Sequence, residues 1–223
     1  MTKTTTASAL EERIHGAIAA RSLLEHPFYR AWSAGTLEME RLRDYARQYY
    51  HFERAFPRFL SAIHARTHSP AIRQLLLENL WDEEHGERNH PALWLEFAAA
   101  VGVSADEVEA AAPHAETEAL IEHFAEAAER APVAEALATL FAYESQVPAI
   151  AWEKIKGLSE KYGLLPNQFE FFCVHLVSDV AHAGAELSAI EELCEDSDGV
   201  VSATERAGER LLAFLDGCYA AAA

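Results

Sequence analysis

The chain has 223 residues, half of them hydrophobic, and carries 18 Lys and Arg against 36 Asp and Glu, a formal net charge of −18. That length and apolar content suit one domain spanning 1–223 with a continuous core, and they exclude global disorder. The acidic balance repels phosphate backbones and anionic bilayers, which argues against nucleic-acid and membrane partners.

Ala, Leu and Glu dominate, and no alternating stretch is long enough to build a sheet, so the expected fold class is all-α. A first helix is expected from about Ala7 to Leu24, and a short one after His26-Pro27 that ends near Gly35. Thr36 is a cap candidate for a longer helix through Tyr45, Tyr49 and Phe52, with Pro57 bending it. Ser69-Pro70 opens a long segment reaching Gly102, with a break near Pro91. Ser104 caps a short acidic helix. Helices over about Glu116–Arg130, Pro132–Tyr162, Pro166–Cys194 and Ser202–Tyr219 complete the set.

The N-terminal residues lack a basic region followed by an apolar stretch, so no signal peptide is expected. No apolar run approaches the roughly 18 residues of a membrane span. Three widely spaced cysteines, Cys173, Cys194 and Cys218, make a disulfide framework unexpected and fit a reducing cytoplasm.

Three segments carry chemistry. In Trp81 to His90, Glu83 lies seven residues and Glu87 three residues before His90, so helical spacing alone leaves both carboxylates open as partners of that imidazole. In His175 to His182, the polar groups His175, Asp179 and His182 recur at i, i+4 and i+7 along a largely apolar helix. A buried Asp there costs several kcal/mol unless it is paired or metal-bound. Glu144 stands in the apolar stretch Leu137 to Ile150 and adds a third carboxylate. Three carboxylates with three imidazoles are the ligand chemistry of helical bundles that bind two iron or manganese ions. A zinc hydrolase more commonly uses fewer ligands.

The stretches His26-Pro-Phe-Tyr29, Phe56 to His64, Asp82 to His90, Tyr143-Glu-Ser-Gln146, Glu153 to Leu158 and His175 to His182 follow one another over nearly the whole chain. In them the chain resembles the CADD-like proteins, which are similar in fold to haem oxygenase, pyrroloquinoline quinone synthase and the TenA proteins. The resemblance implies a haem-oxygenase-like bundle of about seven to eight helices. It also implies a dimetal centre (Fe/Fe, Fe/Mn or Mn/Mn), with dioxygen as co-substrate, held by Glu83, His90, Glu144, His175, Asp179 and His182. Within the pair of open carboxylates it favours Glu83 over Glu87. The implied activity is oxygen-dependent formation of para-aminobenzoate for folate synthesis, in which the protein consumes itself. Tyr29 would supply the ring, Lys154 the amine nitrogen, and Tyr45 a relay for electrons. A homodimer would also agree with the resemblance. The chain departs from the family pattern at Phe171, where a tyrosine can occur.

Lys154 follows Glu144 by ten residues, about 80° short of three full helical turns, so its stem would return only partway toward the ligands. Attack by its amine requires a depressed pKa. Two other readings stay open from sequence: a metal-free cofactor-synthesis or thiamin-salvage relative, and a non-enzymatic helical adaptor.

Overall fold

The computed structural model describes the backbone of residues 4–220 and the side chains of residues 9–176 and 182–220. Among the described residues there is no strand. Eleven α-helices follow one another: α1 (Thr4–Ala19), α2 (Pro27–Ala34), α3 (Met39–Arg66), α4 (Pro70–Glu84), α5 (His90–Ala100), α6 (Ala105–Ala110), α7 (Ala115–Arg130), α8 (Val133–Glu144), α9 (Val147–Glu160), α10 (Glu170–Leu193) and α11 (Ser197–Ala220). The all-helical expectation holds, but eleven helices replace the seven to eight expected. The break expected near Pro91 falls at residues 85–89 between α4 and α5, and the segment read as one helix over Pro132–Tyr162 is cut at Ser145-Gln146 between α8 and α9.

Local chemistry accounts for these boundaries. Ser69 and Asn89 accept the backbone N–H groups of Ile72 and Ala92, and each is followed by a proline in the first helical turn. Gly86 takes φ 84° in the turn after α4, a left-handed conformation that other residues adopt at a cost. Ser104 and Glu107 form a reciprocal capping box on α6. Glu38 rather than Thr36 precedes α3, which runs unbroken through Pro57.

Packing then places the site. α8 is buried nearly all round, with Ala136, Ala138 and Ala142 fully or almost fully enclosed, and it packs against both α10 and α11. α3 packs on α4, α5 and α7, and α9 packs on α10 and α2. At the α2–α9 crossing, a Cβ on Gly157 would lie 2.6 Å from the Trp32 ring, so only glycine permits that approach. The core is rich in rings, among them Trp32, Tyr45, Phe52, Trp94, Phe97 and Phe172. Each such ring contributes roughly 1.5–3 kcal/mol through burial. No helix among the described residues is long and apolar enough to cross a membrane, and all three cysteines are free.

Candidate metal centre and the adjoining tyrosine–lysine cavity

Glu83 lies in the last turn of α4 and His90 begins α5. The spacing argument assumed one helix through both, and the structure corrects it: the turn at 85–89 folds the two together. Their side chains still meet, with Glu83 Oε2 2.8 Å from His90 Nδ1. Glu87 lies on the turn itself and is exposed, so the geometry selects Glu83.

Glu144 closes α8, 3% exposed, and accepts a 3.0 Å hydrogen bond from Asn79 Nδ2 on α4. From α10, His175 donates Nδ1–H to the Phe171 carbonyl at 2.6 Å. That bond fixes the ring and leaves the lone pair on Nε2. The His90 and His175 rings lie 4.3 Å apart between centroids. His182 Nε2 lies 3.2 Å from Asp82 Oδ2, a carboxylate–imidazole contact of the kind that orients metal ligands. The sixth expected ligand, Asp179, lies outside the described side chains.

Two buried carboxylates escaped the sequence reading. Glu53 on α3 is 3% exposed, and its Oε1 is buried without a hydrogen-bond partner. Glu53, His90 and His175 offer ligand atoms that all lie within 4.8 Å of one another. Glu186 on α10 is fully buried and hydrogen-bonds Glu144. Both had a legible signal: Glu53 falls four and eight residues after Tyr49 and Tyr45, and Glu186 extends the stripe of His175, Asp179 and His182 by one more turn.

Burial holds the acids and imidazoles of this cluster toward their neutral forms. Burial raises Glu53 to about 8, helped by the negative charge of Glu83. Burial likewise raises Glu144 to about 7. Glu83 is held well above the usual carboxylate range by burial and by Glu144. Burial pushes His175 well below the usual imidazole range, and it lowers His90 and His182. Packed acids that resist ionisation beside neutral imidazoles favour a divalent ion, which supplies the missing positive charge. Oxygen and nitrogen donors in this mixture suit iron or manganese, and the unpartnered Glu53 oxygen among them fits such an ion.

Beside these ligands lies a cavity of about 30 Å³ lined by Tyr29, Tyr45, Tyr49, Tyr143, Lys154 and His175, together with apolar groups. Lys154 is 4% exposed, and its amine donates to the Tyr45 hydroxyl at 2.6 Å. Ser145 and Gln146, between α8 and α9, keep right-handed helical dihedrals, and Lys154 reaches the cavity that His175 lines. Burial lowers Lys154 to about 7. The Tyr29 and Tyr45 hydroxyls are 3.4 Å apart, and the lysine nitrogen stands 5.5 Å from the Tyr29 ring centroid. Burial holds both phenols above their usual pKa, so they stay protonated. Tyr49 hydrogen-bonds both Tyr143 and Glu53, linking the cavity to the acidic cluster. Phe171 also lines the cavity, its ring 4.2 Å from that of His175.

Residues 43–214 match the model of a family described as iron-containing redox enzymes. The chain is 42% identical to the 4-aminobenzoate synthase of Nitrosomonas europaea, covering 95% of this chain and 92% of that protein. It is also 42% identical to the 4-aminobenzoate synthase of Chlamydia muridarum, covering 92% and 88%. Among solved structures, a TenA homologue from Pseudomonas syringae pv. tomato superposes with a TM-score of 0.81 at 18% identity, covering 95% of this chain and 91% of that one, which is a likeness of fold.

Proposed function

This chain belongs to the family of iron-containing redox enzymes, and from that premise we propose that it is an oxygen-dependent dimetal oxidase forming 4-aminobenzoate from its own Tyr29 and Lys154. The observation that carries the reading is the shared cavity: His175, Tyr29, Tyr45 and Lys154 line one space of about 30 Å³. Such a space admits about one water-sized molecule, whereas a benzene ring fills a cavity of about 150 Å³. So small a space favours a ring taken from the wall itself, where Tyr29 stands, over a free aromatic substrate. The relatives' activity agrees, since proteins 42% identical to this chain are 4-aminobenzoate synthases.

Glu83, His90, Glu144, His175, Asp179 and His182 would hold the two metals, as an iron, manganese or mixed pair. The metals, once bound, supply the oxidation of the phenol by dioxygen. Everything else is the work of the polypeptide. Tyr29 presents its ring at the cavity wall, and Tyr45 bridges it to Lys154 through its hydroxyl. Lys154, lowered to about 7 by burial, carries a neutral amine with a free lone pair in about half of the molecules at pH 7 and in more above it. The surrounding rings of Trp32, Trp94 and Phe172 exclude bulk water from that amine. Asp82 orients His182, and the Phe171 carbonyl orients His175.

The test is anaerobic loading with ferrous or manganous ion, followed by oxygen and identification of the product by mass spectrometry. Two metals per chain and at most one 4-aminobenzoate per chain are expected. Product formation by protein stripped of metal would defeat the reading.

A further inference from the structure

Resting on the dimetal reading above, we infer that Glu53 is a seventh protein ligand, binding one metal together with His90 and His175. None of the six residues carried over from the family motifs lies on α3, so this assignment brings a new helix into the centre.

The geometry is the argument. Tyr45, Tyr49 and Glu53 follow each other at i, i+4 and i+8 and share one face of α3. That face looks at the cavity and at the ligands of α5 and α10. Glu53 is 3% exposed, and its Oε1 is buried with no hydrogen-bond partner. A buried carboxylate oxygen left without a partner is costly, and a cation is the partner that best offsets that cost. The ligand atoms of Glu53, His90 and His175 lie within 4.8 Å of one another. Metal bonds of about 2.0–2.2 Å place ligands of one ion within roughly 4 Å of each other, so closing the triad asks for a side-chain adjustment of under about 1 Å per group.

Tyr49 hydrogen-bonds the same carboxyl, which sets up the competing explanation. Glu53 could serve only to anchor Tyr49, a positioning role that involves no metal. The two roles separate in metal binding: removing a ligand weakens the ion directly, whereas removing the phenol leaves the triad intact.

The experiment measures metal affinity and stoichiometry by equilibrium dialysis of manganous ion with the full-length protein. The Mn(II) paramagnetic resonance spectrum and helical circular dichroism are recorded alongside. The wild type, Glu53→Gln, Glu53→Asp and Tyr49→Phe are compared. Glutamine matches the size of the protonated acid, so the fold persists. We expect Glu53→Gln to lower affinity for one of the two ions at least tenfold and to change the resonance spectrum. Glu53→Asp should fall between it and the wild type, and Tyr49→Phe, which removes an orienting hydrogen bond but no ligand, should lose less affinity than Glu53→Gln and keep the wild-type resonance spectrum. If both Glu53 variants bind two ions with wild-type affinity and spectrum, the assignment is overturned while the dimetal reading stands. If Tyr49→Phe reproduces both the full affinity loss and the altered resonance spectrum of Glu53→Gln, Glu53 is a positioning residue and the assignment is again overturned. If the wild type itself binds no metal, this inference and the dimetal reading fall together.

Discussion

The Lys154 amine donates a 2.6 Å hydrogen bond to the Tyr45 hydroxyl inside a cavity that His175 also lines. A lysine so placed is costly when charged, and burial lowers it to about 7 instead of leaving it a solvated cation. This contact holds the amine among its phenols, and Tyr49, hydrogen-bonded to Glu53, links that half of the site to the candidate metal ligands.

Product formation should depend on pH through that amine. The reactive form is neutral, so the yield in a single turnover should rise as pH passes upward through about 7. Rapid-quench measurement of 4-aminobenzoate at fixed metal loading checks this. A yield that falls over the same interval would mean that the charged lysine is the working form.

Stability should respond to the same group. Its folded pKa is depressed below the unfolded value, so the folded state binds fewer protons between about 7 and the usual 10.5. Its contribution to stability therefore grows as pH rises through that window. Lys154→Met removes the buried amine, and its melting temperature relative to the wild type should show the largest gain at or below pH 7. The same variant should yield no product while binding metal normally.

Tyr29→Phe deletes only a hydroxyl whose contact to Tyr45 is long, at 3.4 Å. The cost to stability should stay under about 1 kcal/mol, and metal uptake should be unchanged, yet 4-aminobenzoate should disappear. Thermal melts and product analysis on one preparation make the comparison.

Metal binding should weaken in acid. Glu53 and Glu144 are raised to about 8 and about 7 by burial, so ions must displace protons from them. Calorimetric titrations in buffers of different ionisation enthalpy should show net proton release at pH 7 and falling affinity below it. Asp82→Asn, which loosens His182, should cost roughly 10- to 100-fold in affinity, while the exposed Glu87→Ala should change little.

Much of this site was legible in the sequence, for reasons of unequal quality. The stripe of His175, Asp179 and His182 lies within one uninterrupted helix, α10, so the counting that found it is valid. The pairing of Glu83 with His90 was found by counting along a helix that is broken between them; the turn around Gly86 and the Asn89 cap bring the two together instead. Lys154 was placed by counting through Ser145-Gln146, where the helix also breaks, and its full burial could not be read from a stretch containing Glu153 and Lys156. Glu53 was passed over although it continues the face of Tyr45 and Tyr49, because its neighbours His51 and Arg54 make the segment look solvated. The excess of helices over expectation arises at such interruptions, where a cap and a short turn do the work that composition alone does not reveal.

The central claim is that the aromatic ring and the amine come from the protein itself. Its most direct measurement uses protein made with isotope-labelled tyrosine and lysine, loaded with unlabelled metal and exposed to oxygen with no small-molecule substrate added. The account predicts 4-aminobenzoate with a labelled ring and labelled nitrogen, at no more than one equivalent per chain, and intact-protein mass loss confined to the peptides holding Tyr29 and Lys154. Unlabelled product, or no product at all from fully metal-loaded protein, with both peptides intact, would contradict it.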